Sequence, residues 1–556
     1  MSAKEFLFGE AARKRMLEGI NQLDRIVTCT LGPSGRNVLI SKGTAHPVIT
    51  KDGVSVAREV DFDDPYMKAG SDTIKEAAER TNTMAGDGTT TTILLSSELS
   101  RQGVKLISSG FDPIEVQKGF DAACNLVLEE LDSFKIPVES GEDIEHVAFV
   151  SGNNDKEVAA IVREAFEGVG DGGVVNLDTS QSKTGRTFVR FTDGMSFGKG
   201  INGGAYVTDL KKESFEADNP RVLLSNYTLT SKEIQTELSN AYKDKVPLVI
   251  IAPHISEQGE TAMIMQAKKK TVTCAQIIPP GNSLYEVQEK MKDLAAILGC
   301  KVIESADDLF EYKYGTCDHI SSTLYKTVIS GSHGTEELIN ERVEDLKKQI
   351  ENGTAEDVEV GMSEAEIKAI KERIAALTGG IAIICIGGNS ETRVKELKDR
   401  YEDAIRAVES AIEEGIVPGG GCALLKAGAK VRKEAALQDV TRDFEAGFEA
   451  FLKACRKPVT RIISSISDDY SYIISKIENE AGKNFGYNAK TQEYEEDMIA
   501  AGIVDPLKVT KWALKNSTAV AGIFITTECA IVPSARNVSV EPIDPLKDRN
   551  FGIEGI

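Results

Sequence analysis

The stretch at residues 85–92 reads AGDGTTTT. Its glycines let the backbone pass close to an anion. Its threonines can open a helix whose N–H groups and hydroxyls surround a phosphate at the positive end of the helix dipole. Asp87 is an acid beside that point, so it suits a hard cation such as Mg2+ better than direct contact with phosphate. The same residues also fit an ordinary helix N-cap with threonine as filler. LGPSGR (31–36) adds a second glycine-rich turn with phosphate donors, and alone it reads equally as a helix-ending loop. TKDGVS (50–55) sets Lys51 and Asp52 on a turn, and alone fits a plain DG hairpin turn. PGGG (418–421) suits close backbone approach to a ligand or a helix–helix contact. Asp403 lies in a long helical stretch, where an acid by itself reads as a solvated face residue.

Other chemistries find no footing. There is no GxxxxGK[ST] phosphate loop. The five histidines, His46, His146, His254, His319 and His333, show no HExxH spacing, and no Ser/His/Asp arrangement can be assigned. The formal net charge of −22 disfavours nucleic acid and anionic lipid as general partners. Nine scattered cysteines without a CxxC read as reduced thiols rather than a disulfide framework or zinc site. The N-terminal residues lack the apolar run of a signal peptide, and the longest apolar runs, such as 381–386, are far short of a membrane span. A cytoplasmic protein is expected.

The elements that must position these residues follow from periodicity. At 556 residues the chain exceeds one hydrophobic core, so roughly two to four domains are expected. Met16, Ile20, Leu23 and Val27 make one helical stripe. Short β-like runs, NVLI and HPVIT, follow within 37–56. Residues 64–110 read as two helices broken at AGDGTTTT, and 113–133 as a third, stopped by Ile136-Pro137. Residues 138–192 mix a helix (157–169), a turn (170–173) and a strand. From 193 to 335, RVLLS, PLVIIAP and CAQIIPP alternate with helical stretches such as 256–270, which suggests an α/β domain. Residues 335–378 form a helical hairpin with stripes Ile339, Val343, Leu346, Ile350 and Ile367, Ile370, Ile374, Leu377. Ser363 with Glu366 fits a capping box. A strand at 381–386 then leads to a long helix, 391–414. Beyond GIVPGGG the chain reads as mainly helical to about 515. A discontinuous helical base, made from both chain ends and carrying an inserted α/β part, is the expected plan.

Taken in order, LGPxGRNV, TKDGVSVAREV, AGDGTTT, EDA with EEGIVPGGG, FGYNA, DPxKVT and FITTEC resemble the group I chaperonins (GroEL-like, sixty-kilodalton family). The resemblance spans nearly the whole chain. It is close in 1–135 and 400–530 and thin in about 195–375. It implies a multidomain α+β fold: a mainly helical equatorial ATP-binding domain (1–135 and 414–530), a small α/β intermediate hinge domain (136–192 and 381–413) and an α/β apical client-binding domain (193–380), with a C-terminal tail (531–556). It implies a chaperonin ATPase that binds unfolded or misfolded proteins and promotes their folding in the cavity of a homo-oligomer, in one or two rings of seven. The ATP site it implies comprises Thr30, Leu31, Gly32, Pro33, Lys51, Asp87, Gly88, Thr89, Thr90 and Thr91, with Gly420, Asn488, Ala489, Lys490 and Asp505 around the nucleoside. Asp87 would bind Mg2+, and the carbonyls of Thr30 and Lys51 would hold K+. Asp52 and Asp403 would be the catalytic carboxylates that orient and activate the attacking water. Asp403 lies in the implied intermediate domain, so it would reach the nucleotide only as that domain swings down. Client binding would fall to Ile201, Tyr206, Met263, Ile264 and Met265.

The sequence also departs from that family. Lys490 stands where many relatives have alanine. Gly203, Ala205 and Glu260 stand where the apical face is usually bulkier or apolar. PPGNS (279–283) replaces PGFGD, residues 352–362 read as an extra acidic loop, and the tail EPIDPLKDRNFGIEGI is not a Gly-Gly-Met repeat. These departures mark a divergent member and put the co-chaperonin lid in doubt. Two functional classes follow: an ATP-cycling folding machine, or a client-binding ring scaffold with weak or no cycling.

Overall fold

The computed structural model describes residues 4–41, 48–170, 173–179, 185–209, 213–354, 362–388, 390–435 and 438–534. The chain divides into two compact units, Met1–Ala160 with Asp399–Ile556, and Ile161–Lys398. Much of the expected acidic loop at 352–362 and most of the tail at 531–556 lie outside the described residues.

The first unit is mainly helical. The Gly9–Val27 helix buries Ala12, Met16, Ile20, Leu23 and Val27, the stripe that its periodicity predicts. Asp64 and Asp112 cap the Pro65–Ala85 and Pro113–Ser133 helices through their side chains, each with proline in the first turn. The Gly9–Val27 and Pro65–Ala85 helices touch backbone to backbone. A Cβ on Gly19 would stand 2.1 Å from the Met67 carbonyl oxygen, and one on Gly70 would stand 2.3 Å from that of Met16. One core joins the two stretches of chain: Ile20, Ile93, Phe120 and Val127 pack with Phe448, Phe451, Leu514 and Phe524. The strand Lys4–Phe8 pairs antiparallel with Cys529–Pro533, and Ile416–Pro418 with Val504–Pro506. The last helix, Leu507–Thr526, runs beyond the expected end near 515. A two-stranded ribbon, Gly486–Asn488 with Glu493–Glu495, also breaks the expected helical run.

The second unit holds a seven-stranded sheet. Arg221–Leu224, Leu248–Ile251 and Cys274–Ile277 are parallel neighbours, with the Ser231–Asp244 and Glu257–Lys269 helices as crossovers. Gly315–Ser322, Thr327–Ser332, Gly194–Phe197 and Phe215–Asp218 complete it with antiparallel pairings. A separate three-stranded sheet places Ile381–Cys385 between Val174–Asp178 and Phe188–Thr192. The helical hairpin forms as Glu336–Thr354 and Glu364–Thr378, and Ser363 and Glu366 make the reciprocal capping box. Four buried or nearly buried charges pin that hairpin to the Leu284–Leu298 helix. Arg342 donates to Asp293 at 2.7 Å and Glu289 at 2.7 Å, and Arg373 donates to Asp293 at 2.7 Å.

The apical anchors expected from sequence are mostly core. Ile201 (1% exposed), Tyr206 (1%) and Met263 (0%) lie inside the second unit. Backbone bonds from Ile201 N–H to the Thr323 carbonyl (2.9 Å) and from Asn202 N–H to the Gln276 carbonyl (2.9 Å) stitch this loop into the sheet. Met263 and Met265 sit two residues apart on a helix and so face opposite ways. Met265 is 50% exposed, and Ile264 is half-buried.

Candidate functional site

A cavity of about 660 Å³ opens within the first unit. Every residue expected around ATP lines it: Thr30 to Pro33, Lys51, Asp87 to Thr91, Gly420, Asn488, Ala489, Lys490 and Asp505, together with Asp52 and Asp403.

Its floor is the turn between the Pro65–Ala85 and Thr89–Ser108 helices. Gly88 takes the N-cap position at φ 89°, and no side chain caps this helix. Its first amide donors therefore remain open to an anion. An alanine here would be strained by its backbone angle and would bring its Cβ within 2.7 Å of Val509 Cγ1. Asp87 accepts a hydrogen bond from the Gly88 amide. The LGPSGR loop forms a tight turn, with Gly35 N–H donating to the Gly32 carbonyl at 3.0 Å.

The DG pair at 52–53 is not a hairpin turn. Asp52 is the N-cap of the Gly53–Glu59 helix and accepts from the Val54 and Ser55 amides at 3.2 and 2.8 Å. That cap fixes the Asp52 carboxylate, and Gly53 fits it closely to the floor: a Cβ there would lie 2.0 Å from Thr90 Oγ1. Asp403 comes from the Glu391–Glu414 helix. Ser410 of that helix donates to the Ala85 carbonyl at 2.8 Å, and Arg406 packs over Gly86. At the opposite wall Asp505 accepts from Gly421 N–H at 3.5 Å.

The carboxylates share one electrostatic problem. Burial pushes Asp403 well above the usual carboxylate range, and Asp87 and Asp52 push it further. Burial also raises Asp87, with Asp52 adding to the shift, while the Gly88 amide and the Ser151 hydroxyl oppose it. Asp505 rises to about 6, chiefly through burial. Buried acids that repel one another in this way are relieved by a cation. Among the described residues no group of three His, Cys, Asp or Glu forms a metal cage.

Sequence reasoning missed one wall. His146, Phe149, Val150, Ser151, Asn153 and Asn154, from the Gly141–Ser151 helix and the turn after it, also line the cavity. Asn153 and Asn154 both take positive φ (60°), as asparagine tolerates. The small polar run SGNND was the available signal.

The TCP-1/cpn60 chaperonin family model matches residues 23–534. The chain belongs to that family. The fold agrees: this chaperonin matches the crystal structure of the chaperonin gp146 from the bacteriophage EL 2 (Pseudomonas aeruginosa), determined in the presence of ATP-BeFx. In one crystal form the TM-score is 0.70 at 21% identity, covering 95% of this chain and 99% of that one. In a second form the TM-score is 0.63 at 22% identity with the same coverage. The chaperonin has the multidomain α+β fold of the GroEL-like proteins. Among its described residues no helix is long and apolar enough to cross a membrane.

Proposed function

We propose that this chaperonin binds and hydrolyses ATP in the cavity of its first unit and uses the turnover to fold unfolded proteins inside a ring. The observation that carries the reading is the convergence of Asp52, Asp87 and Asp403 on one cavity beside an uncapped helix N-terminus. The open amides of Thr89 to Thr91 receive the phosphates. Asp87 would hold Mg2+, which would supply charge neutralisation during phosphoryl transfer. The carbonyls of Thr30 and Lys51 would hold K+. Asp52 and Asp403 orient the attacking water, and Asp403, whose proton affinity burial raises, is suited to accept its proton once ionised. The intermediate and apical domains implied by the sequence would carry this cycle to the client, with the Glu391–Glu414 helix as the moving part.

Ring assembly has support on the surface of the first unit. The Val38–Ile40 and Val48–Thr50 ribbon exposes Leu39 (63%) and Ile49 (60%), which stand opposite each other. The Lys4–Phe8 and Cys529–Pro533 ribbon exposes Phe6, Phe8 and Ile531. Two-stranded ribbons with apolar faces, whose outer edges are unpaired among the described residues, favour pairing with another copy of the chain. Rings of seven, single or double, are the proposed form.

The burial of Ile201, Tyr206 and Met263 favours a narrow client set, and keeps the second reading, a client-binding scaffold without cycling, open to test. Refolding of a chemically denatured client, with and without Mg-ATP, separates the two. ATP-dependent recovery supports the folding machine. Capture without ATP-dependent release supports the scaffold.

A further inference from the structure

The missed wall of the cavity is strapped to the opposite one. Phe149, on the Gly141–Ser151 helix, and Lys490, just past the Gly486–Asn488 strand, both line the cavity. The Lys490 ammonium lies 5.6 Å from the centroid of the Phe149 ring, within cation–π range. The lysine is exposed and the ring half-buried. The Lys490 backbone is fixed, since its N–H donates to Asn488 Oδ1 at 3.1 Å. The other half of the Asn488 side chain donates to Glu495 at 3.0 Å, which locks the ribbon that presents the lysine. The Gly141–Ser151 helix also seats on the Gly502 turn, where a Cβ would stand 2.8 Å from the His146 ring. At its C-terminal end Ser151 lines the cavity, as Asp87 does. One short helix thus touches the carboxylate end of the cavity through Ser151 and the lysine-bearing ribbon through Phe149.

We propose that Lys490 and Phe149 are positioning residues that retain nucleotide, holding the Gly141–Ser151 helix across the cavity so that the bound nucleoside triphosphate leaves slowly. The inference rests on the nucleotide reading above. Lys490 acts through Phe149 and takes no part in hydrolysis. Loss of the strap raises the rate of ligand escape and the KM more than it alters the chemical step.

The test is stopped-flow displacement of a fluorescent ADP, and of the ATP form, from the assembled full-length protein, with single-turnover hydrolysis measured in parallel. Lys490→Ala and Phe149→Leu are each expected to raise the dissociation rate about 2- to 5-fold, the range for a partly exposed cation–π pair. The double variant is expected to match either single one, because both remove the same contact. Lys490→Arg is expected to restore the wild-type rate, and in the other three variants dissociation is expected to change more than single-turnover hydrolysis. Unchanged dissociation in both single variants, or effects that multiply in the double, would overturn the strap while leaving the nucleotide site intact. Failure of the wild-type protein to bind the nucleotide at all would overturn the site and the strap together.

Discussion

At the scale of single residues, the cavity concentrates negative charge where a triphosphate would add more. Asp52, fixed by its own helix cap, cannot turn away from Asp87 without losing two backbone hydrogen bonds. Burial raises the proton affinity of both Asp403 and Asp87, with Asp87 and Asp52 adding to the shift of Asp403 and Asp52 to that of Asp87. A cation bridging phosphate and carboxylate removes that penalty, so metal and nucleotide should bind interdependently. Asp87→Asn is therefore expected to lose most of the Mg2+-dependent gain in ATP affinity, at least ~10-fold by titration calorimetry, with little change in affinity measured in EDTA. An Mg2+ effect of wild-type size in that variant would place the metal elsewhere. Residues whose role depends on local backbone were legible in the sequence. A glycine flanked by aspartate and threonines before a helix offers a phosphate-binding N-terminus or an ordinary N-cap from eight letters of chain, and the structure shows no side-chain cap there. Phe149 and Ser151 were not legible, because they reach the cavity from a helix whose own pattern says nothing of what it packs against.

Elements raise a different question, since the same stripe of apolar residues can face a core or a solvent groove. Met263, Ile264 and Met265 offered both outcomes, and the sheet behind the Glu257–Lys269 helix decides which side is covered. Periodicity foretold the helical hairpin at 335–378 and its capping box, but not the charges that dock it. Glu289 and Asp293 lie far in sequence from Arg342 and Arg373, and each of the four would read as a solvated helix residue. Arg342→Met should destabilise the second unit by ~3 kcal/mol, because it leaves buried carboxylates undercompensated. Thermal melting checks this. The same network predicts an acid response. Burial alone would raise the Glu289 carboxyl, yet hydrogen bonds from Lys292 and Arg342 outweigh it and hold the carboxyl at about 2. A depressed carboxylate contributes stability that is complete above its unfolded value of about 4.5 and is lost as pH falls toward 2. Wild-type stability should thus fall more steeply between pH 4.5 and 2 than that of Glu289→Gln. Parallel melting curves would contradict the assignment.

At the scale of the whole molecule, a sequence read as two helical ends around an α/β insert becomes two compact units. The first gathers Ile20 and Phe120 with Phe451 and Phe524 into one core. That contact between distant stretches of chain is what builds the cavity, since Thr30 and Asp87 arrive from one stretch and Gly420, Asn488 and Asp505 from the other. The exposed ribbons carry the assembly prediction. Phe8→Asp together with Leu39→Asp should convert a ring-sized particle to single chains in sedimentation velocity, with helical content unchanged, and an intact particle would rule out both ribbons as the joint. The proposed function requires that the gathered carboxylates perform the hydrolysis. The most direct measurement is single-turnover ATP hydrolysis by Asp403→Ala beside its equilibrium affinity for ATP. The expected result is hydrolysis slowed about 100-fold with affinity within threefold of wild type, and hydrolysis at the wild-type rate would contradict it.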